Sequence, residues 1–345
     1  MKMKKITMTA FLLMLIACGA QSQEKTVRIG VLGLFHPQEV GVSPVGVRPL
    51  VCAAGEERWA VNGSLHVILD RMSMRIVNHS NTVTKTFTCD DGLSGATEFV
   101  VTVPGKLARR YRGKLEIAPQ ARELVVIVAM ELETAVASIV MAESPPDAPI
   151  EALKAQAVAT RSFLIAGKGR HKGFDFCDTT HCQFLRQAPE PGSRASQAAA
   201  ATRGLVLAYK GEAFAAMYSA SCGGRTHSLE ELGITMRGYP YYAVECDYCR
   251  RHPEKWVAKI SQADAAGLAG TESSRLKLAR KLGWKTVPGN SYTSHEEDGA
   301  VVLEGSGRGH GIGLCQRGGA DMARHGATFQ QIFEHYYPNT EIKQY

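Results

Sequence analysis

Residues 131–163 read E-L-E-T-A-V-A-S-I-V-M-A-E-S-P-P-D-A-P-I-E-A-L-K-A-Q-A-V-A-T-R-S-F, and this stretch predicts two successive helices. Its pattern predicts a helix over about 131–143, which the two prolines that follow must end. A second, Ala-rich helix is predicted over about 149–167, with Asp147 as its cap. Helices of this composition pack closely, so we expect the second one to be buried.

Strand signals lie on both sides of the helix pair. Apolar runs separated by Gly, Pro and Asn make residues 26–104 β-rich, and two further strands are predicted at 114–117 and 123–128. Downstream, a hairpin is predicted around Lys210-Gly211, and the polar segment 253–285 is interpreted as a helical excursion. The chain is therefore expected to have an α+β fold.

The composition is ordinary except for its cysteine content. The 345 residues are 45% hydrophobic and 21% charged, which excludes a disordered, collagen-like or coiled-coil chain. The net charge of +7 falls to about +4 without the basic N-terminal segment, which is mildly basic and gives no reason to expect nucleic acid as a partner. Nine cysteines are more than a cytosolic protein of this size usually carries without metal or catalytic use, whereas an exported protein can pair them.

The N-terminus has the pattern of an export signal. A basic start, M-K-M-K-K, precedes an apolar run that is too short to span a bilayer. The run ends in L-I-A-C-G, which resembles the bacterial lipobox. Residues 1–17 are thus predicted to be a lipoprotein signal peptide, Cys18 the lipidated residue and 18–25 a tether; ordinary cleavage after Ala20 is the alternative. The protein would then be exported, face the periplasm or cell wall, and contact the membrane through its lipid anchor only.

Residues 171–182 carry a candidate metal site. The segment reads H-K-G-F-D-F-C-D-T-T-H-C, so His171, Cys177, His181 and Cys182 supply the Cys₂His₂ donor set of a closed tetrahedral zinc site. The spacing is not that of a zinc finger, however. A disulfide between Cys177 and Cys182, with incidental histidines, explains it equally well.

Six further cysteines form two groups. Cys52 and Cys89 stand alone in the β-rich region, and a disulfide between them is the simplest prediction for an oxidising compartment. Two disulfides or a second metal site are both compatible with the other four, which are Cys222, Cys246, Cys249 and Cys315. No thioredoxin-like pattern surrounds the C-x-x-C pair among them, and the sequence leaves the choice open.

A glycine run at 305–313, G-S-G-R-G-H-G-I-G, has no phosphate-loop register. Glycine at every second position lets a backbone approach a ligand closely, and His310 projects from the middle of the run. Beyond it, Thr328 and Gln331 predict a capping box for the last helix.

Glu143 is the candidate general acid. A lone glutamate is usually a solvated surface residue, but this one ends a predicted helix, where the dipole disfavours a carboxylate and raises its pKa. Its neighbours Met141 and Ala142 and the following prolines supply little solvation. A raised pKa is what a general acid near neutral pH requires.

Four blocks of sequence together resemble the SpoIID/LytB family, which is named after stage II sporulation protein D and an amidase enhancer. They are 131–163, C-D-T-T-H-C-Q at 177–183, M-Y-S-A-S-C-G-G-R-T at 217–226, and G-H-G-I-G-L-C-Q-R-G-G-A-D-M-A-R-H-G with its H-Y-Y-P ending at 309–338. The blocks follow the family's order and span about 110–345. The resemblance implies a SpoIID-like domain of helices and antiparallel strands over 105–345, preceded by a β-rich accessory region over 26–104.

The resemblance also implies an activity. Family members known as enzymes are lytic transglycosylases that cleave peptidoglycan glycan strands lacking stem peptides. Their catalytic glutamate lies in a segment that matches Ala142-Glu143-Ser144-Pro145, where Ser replaces the family's Met. Some members bind zinc through residues that match Cys177, His181 and Cys182, and we expect His171 to be the fourth ligand. Such a zinc would be structural.

A lytic transglycosylase needs only one carboxylate, because the C6 hydroxyl of its substrate is the nucleophile and the product is a 1,6-anhydro-muramyl sugar. Glu143 is accordingly expected to act as general acid and base, with Ser219, His310 and Gln316 orienting the sugar. The alternative is a non-catalytic glycan-binding activator of a cell-wall amidase. A zinc hydrolase would need an open coordination position, and the full donor set argues against it.

Overall fold

The computed structural model describes residues 25–78, 81–93 and 97–345. The predicted signal peptide and Cys18 lie outside the described residues. Across the described ranges, no helix combines the length and the apolar character that crossing a membrane requires. Helices and mostly antiparallel strands share the chain, so the predicted α+β class is confirmed.

Twelve strands in the described part of the chain form one curled sheet. They are β1 (Thr26–Val31), β2 (Glu39–Pro44), β3 (Leu50–Ala54), β4 (Glu57–Val61), β5 (Leu65–Asp70), β6 (Ser73–Val77), β7 (Val83–Thr84), β8 (Phe87–Asp90), β9 (Thr97–Val103), β10 (Leu107–Gln120), β11 (Glu123–Glu131) and β12 (Phe176–Cys177). The main path runs β12-β1-β11-β10-β9-β2-β5-β6-β7, and β8, β3 and β4 branch from it.

The long strand β10 is the point where the sheet branches. Over Leu107–Gly113 it pairs with β9, and over Leu115–Ile117 it pairs with β8. Gly113 at the changeover has φ +149°, and a Cβ there would lie 2.4 Å from a backbone carbonyl oxygen of β11. Only glycine allows this close approach. Since β9 and β10 form one hairpin, the predicted boundary between 26–104 and 105–345 falls at a turn inside a shared sheet and a shared core.

The predicted disulfide of the N-terminal region is present. Cys52 in β3 and Cys89 in β8 face each other across the strand pair and are bonded. Both are fully buried in the core beneath the sheet. The bond therefore ties the branch of the sheet together from inside.

Eight helices lie in the described residues. They are α1 (Leu132–Glu143), α2 (Ile150–Ala166), α3 (Arg194–Ala201), α4 (Asp247–Arg251), α5 (Gln262–Ala265), α6 (Glu272–Leu282), α7 (Gln316–Arg324) and α8 (Phe329–Tyr336). The two helices predicted from 131–163 are confirmed, and α2 is buried along most of its length between α1, α3, α7 and α8. The predicted cap is wrong: Pro149 occupies the N-cap of α2 without a side-chain bond, and Asp147 is exposed.

A buried ion pair fixes α1 against α2. The guanidinium of Arg161 makes two hydrogen bonds to the carboxylate of Glu133, at 2.8 and 2.6 Å. The same guanidinium donates to the carbonyl oxygens of Leu205 and Ala199. Its side chain has no exposed surface, so its charge is neutralised entirely within the fold.

The remaining strands form three small sheets. They are β13 (Leu205–Tyr209), β14 (Glu212–Ala213), β15 (Tyr218–Ser219), β16 (Lys255–Ser261), β17 (Ser291–Glu297), β18 (Ala300–Ser306), β19 (Leu314–Cys315) and β20 (Glu341–Gln344). The predicted hairpin is present but short, because β14 pairs with β13 for two residues only and β20 takes the other edge. The capping box at Thr328 and Gln331 is confirmed at the start of α8.

The helical excursion predicted at 253–285 is wrong in its first part. Lys255–Ser261 is strand β16, which pairs with β18, and only α5 and α6 are helical. Every second residue of the strand packs into a small core shared with α6; these residues are Trp256, Ala258 and Ile260. This two-residue period is the strand signal that the polar composition of the segment concealed.

Candidate active site and cysteine clusters

Glu143 is the last residue of α1 and its carboxylate is held from two sides. The backbone N–H of Phe184 donates to one carboxylate oxygen, and the hydroxyl of Tyr218 donates to the other. The helix stops here because Ser144 is extended and Pro145 follows. The residue is half-buried, and its neighbours Ser144 and Gln316 help to line a small cleft.

Burial raises the pKa of Glu143 to about 7. The hydrogen bonds from Tyr218 and Phe184 act in the opposite direction, since they stabilise the carboxylate anion and lower the pKa. Burial also raises the pKa of Tyr218 well above its usual value, so its hydroxyl stays protonated as a donor. Glu143 is thus a carboxylic acid that is still substantially protonated near neutral pH, which is the state a general acid needs.

Gln316, at the start of α7, lies against the backbone of Glu143. Its side-chain amide donates to the carbonyl oxygen of Glu143 at 3.0 Å and to the side-chain oxygen of Gln156 in α2 at 3.2 Å. Three helices therefore meet at this point. The contacts make Gln316 a residue that positions the end of α1, while its predicted contact with a sugar stays a prediction.

Ser219 lies next to Tyr218 in β15, opposite Cys315 of β19. Its hydroxyl is buried and has no hydrogen-bond partner in the described part of the chain. In this conformation it is closed off from solvent, so contact with a sugar would require local movement. Its role as a sugar-orienting residue stays a prediction.

The glycine run packs against the chain's own backbone. Gly307, Gly309, Gly311 and Gly313 all have positive φ, and a Cβ at Gly313 would lie 2.1 Å from the carbonyl oxygen of Met217. The close approach that the run permits is therefore to the segment that carries Tyr218.

His310 sits within this glycine loop with a restrained imidazole. Its Nδ1 accepts a hydrogen bond from the N–H of Ile312 at 3.0 Å. Burial lowers the pKa of His310 to about 4. The imidazole is consequently neutral near neutral pH, so it can orient a hydroxyl group but carries no charge there.

The predicted cluster of His171, Cys177, His181 and Cys182 is brought together. Its four ligating atoms lie within 4.8 Å of one another; Nε2 of His171 is 3.2 Å from Sγ of Cys182, which in turn is 3.5 Å from Nδ1 of His181. Donors around one zinc ion lie about 3.3–3.8 Å apart, so the set fits the ion. The two thiols are free, in contrast to the alternative of a disulfide.

This first cluster is connected to Glu143 through two residues of chain. Cys182 is followed by Gln183 and then by Phe184, whose N–H binds the Glu143 carboxylate. At its other end, Cys177 is held by the pairing of β12 with β1 at the sheet edge. The loop that carries the four donors thus leads directly into one of the two hydrogen bonds that lower the pKa of Glu143.

The remaining four cysteines also converge. The sulfur atoms of Cys222, Cys246, Cys249 and Cys315 lie within 4.8 Å of one another, and all four residues are buried and unbonded. The two disulfides that the sequence allowed are not formed.

Sequence reasoning missed Tyr218, Phe184 and Gln156. Tyr218 lies in the M-Y-S-A block, next to the predicted Ser219, and Gln156 lies in the A-Q-A part of α2. A buried glutamine in an Ala-rich helix is a signal that could have been read, because a buried amide needs partners. Phe184 contributes only its backbone N–H, and a pattern of side chains cannot predict such a contact.

Residues 120–209 match the family model of SpoIID, described as stage II sporulation protein. Over 260 residues the chain is 25% identical to stage II sporulation protein D of Bacillus amyloliquefaciens, a match that covers 62% of this chain and 74% of that protein. Over 270 residues it is 29% identical to an uncharacterized protein of Brachyspira hyodysenteriae. This match covers 68% of this chain and 73% of that protein.

A further match is to the amidase enhancer of Bacillus subtilis, at 24% identity over 284 residues. It covers 59% of this chain but 39% of that protein. The span of the family model contains Glu143 and the first cluster, and together these matches support the resemblance of the chain to the SpoIID/LytB family.

Proposed function

We propose that this protein is a peptidoglycan lytic transglycosylase that cleaves glycan strands lacking stem peptides. The observation that carries the proposal is Glu143, a half-buried carboxyl group whose pKa is raised to about 7 and whose oxygens are held by Tyr218 and Phe184. The names of two relatives, a sporulation protein and an amidase enhancer, support a cell-wall role.

One carboxyl group suffices for this reaction. Protonated Glu143 gives its proton to the glycosidic oxygen as the bond from that oxygen to C1 breaks, and the positive charge develops on the sugar ring. The C6 hydroxyl oxygen of the same sugar then bonds to C1, and its proton returns to the Glu143 carboxylate. The product is a 1,6-anhydro sugar, no water is consumed, and the enzyme ends in its starting protonation state.

The partners of Glu143 suit both halves of this cycle. Burial keeps the proton on the carboxyl group before the first step. Once the proton has left, Tyr218 and Phe184 stabilise the anion by hydrogen bonds to its two oxygens. A second carboxylate, which hydrolytic glycosidases require, has no task in this scheme.

The first cluster suits a structural zinc ion. Two imidazoles and two thiols fill a tetrahedral set, which leaves no open position for substrate or water. By holding residues 177–182, these ligands would keep Phe184 against Glu143. A zinc ion bound here would therefore cross-link the loop beside the acid.

Export and anchoring through Cys18 complete the proposal. The sequence of the signal region supports it, and the disulfide between Cys52 and Cys89 is suited to an oxidising compartment. A protein held in this way would meet its substrate at the membrane-facing side of the cell wall.

A second candidate function is activation of a cell-wall amidase without catalysis. The amidase enhancer of Bacillus subtilis supports it, because the match extends over 59% of this chain. In this case the cleft would bind glycan, and the raised pKa of Glu143 would have no catalytic use.

The test is digestion of peptide-free glycan strands by the purified mature chain, with mass analysis for anhydro-muramyl ends. We expect product from the wild type and from Glu334→Gln, a control at an exposed glutamate of α8, and none from folded Glu143→Gln. Glycan binding without product, together with equal stimulation of a purified amidase by wild type and Glu143→Gln, would decide for the activator.

A further inference from the structure

Four buried sulfur atoms meet in the C-terminal half of the chain. They belong to Cys222, which follows β15, to Cys246 and Cys249 at the start of α4, and to Cys315 at the N-cap of α7. All lie within 4.8 Å of one another. From this geometry we propose that the four cysteines bind a second, structural Zn²⁺ ion, an inference that does not depend on the proposed function.

The distances fit a single ion. In a tetrahedral site with zinc–sulfur bonds of about 2.3 Å, neighbouring sulfurs lie about 3.8 Å apart. The sulfurs of Cys249 and Cys315 are 3.5 Å apart, and no pair in the set exceeds 4.8 Å. A cluster of several irons would hold its cysteines further apart, around its own sulfides. The C-x-x-C spacing of Cys246 and Cys249 is also one by which structural zinc sites take two ligands from one turn.

Hydrogen-bond donors point at the sulfurs, as the thiolates of a metal site require. The N–H of Gly318 donates to Sγ of Cys315 at 3.4 Å, and the hydroxyl of Tyr336 donates to Sγ of Cys246 at 3.3 Å. Residue 318 has to be glycine here, because a Cβ would lie 2.6 Å from Sγ of Cys246. The space around the sulfurs is therefore shaped by groups from both α7 and α8.

Other states of these cysteines fit the geometry less well. Buried free cysteines behave as small apolar side chains, but apolar packing alone gives no reason for four sulfurs to converge. Disulfides would give each sulfur one partner, whereas here each sulfur has three neighbours. The same structure closes the bond between Cys52 and Cys89 and leaves these four thiols unbonded.

The ion would tie together segments that the chain topology separates. The excursion of β16, α5, α6, β17 and β18 begins after Cys249 and ends before Cys315, which lies 66 residues further on. Cys315 precedes Gln316, which contacts Glu143, and β19 pairs with the strand that carries Tyr218. The site would thus join the two ends of the excursion to each other and would stabilise the elements that carry Gln316 and Tyr218 next to Glu143.

Metal content and cysteine state of the full mature chain test the proposal. The protein is purified without chelator and denatured in the presence of a colorimetric indicator that reports the released zinc. Its cysteines are mapped by alkylation and mass spectrometry without reductant. The Cys177→Ser/Cys182→Ser variant removes both thiolates of the first cluster and leaves the four. We expect it to retain one zinc ion per chain and four unbridged cysteines.

Adding Cys249→Ser to that background should abolish zinc binding and lower Tm. The matched control, Cys52→Ser/Cys89→Ser, loses a disulfide and should keep the zinc content of the wild type. If a variant does not fold, the wild type loaded with Co²⁺ gives a second reading. Its thiolate-to-metal absorption should then correspond to six thiolates over the two clusters, and to two if only the first cluster binds.

Three results would overturn the proposal. They are disulfide-linked peptides among the four cysteines, iron in place of zinc, or four free thiols without metal in Cys177→Ser/Cys182→Ser. Loss of all zinc from that variant would show that the first cluster alone holds the ion.

Discussion

The hydroxyl of Tyr218 donates a hydrogen bond to one carboxylate oxygen of Glu143, and this bond opposes the burial that raises the pKa of the same group. The two effects have different sources. Burial disfavours the anion, whereas the phenol stabilises it and remains available when the proton has left. The protonation state of Glu143 can therefore be altered through Tyr218 without changing the carboxyl group.

Tyr218→Phe should move the pH profile of the proposed reaction toward higher pH. Because the hydrogen bond lowers the pKa of Glu143, its loss raises that pKa above about 7. The acid form then persists to higher pH, so kcat/KM should begin to fall at a higher pH than in the wild type. The measurement is anhydro-product formation from soluble glycan across pH. Tyr242→Phe, at an exposed tyrosine, should leave the profile in place, and a shift of Tyr218→Phe to lower pH would contradict the assignment.

Glu143 should also make the stability of the protein depend on pH. Its pKa rises from 4.5 to about 7 on folding, so its favourable contribution is complete below pH 4.5 and is lost as the pH rises through 7. The loss is on the order of 3 kcal/mol. Glu143→Gln lacks this titration, so its stability relative to the wild type should increase over that range.

Urea unfolding at several pH values measures the difference. The Glu334→Gln control should follow the wild type at every pH, since that side chain is exposed. Parallel stability curves for wild type and Glu143→Gln would mean that the carboxyl group titrates alike in the folded and unfolded states.

Local signals in the sequence predict much of this fold and part of the site. The prolines after α1 and the capping box of α8 act within a few residues, and the cysteine and histidine donors announce their chemistry by type. The contact of Tyr218 with Glu143 joins residues 75 apart, and no local pattern encodes it. The branching of β10 is equally non-local, because Gly113 is required only by the close approach of the neighbouring strand β11.

Gln316→Ala should lower kcat about tenfold while KM changes little. The Gln316 side chain donates hydrogen bonds to the carbonyl oxygen of Glu143 and to the side-chain oxygen of Gln156. Its loss should therefore misplace the end of α1 without removing a contact that binds the substrate. Kinetics on soluble glycan separate the two constants. Gln197→Ala, at an exposed glutamine of α3, is the control. A rise in KM at constant kcat would instead favour the sugar-orienting role predicted from the sequence.

Cys182→Ser should release one zinc ion and slow product formation. The substitution removes a thiolate of the first cluster, and the freed loop no longer holds the N–H of Phe184 against Glu143. Metal analysis and the anhydro-product assay are made on the same preparation. Cys52→Ser/Cys89→Ser also removes two cysteines, but these form a disulfide outside the cluster and the zinc content should not change. Unchanged zinc content in Cys182→Ser would exclude it as a ligand.

Glu133→Gln should destabilise the protein by about 3–5 kcal/mol, because it leaves the buried guanidinium of Arg161 without its counter-charge. Arg75→Gln is the matched control: Arg75 is exposed and its partner Asp70 is partly exposed, so the cost should stay within about 1 kcal/mol. Urea unfolding at neutral pH measures both. Since the pair fixes α1 on α2, the same loss should reach Glu143 at the other end of α1 and reduce product formation even under conditions where the variant is fully folded. Equal costs for the two substitutions would mean that water reaches Arg161 in the variant and that the pair does not lock the helices.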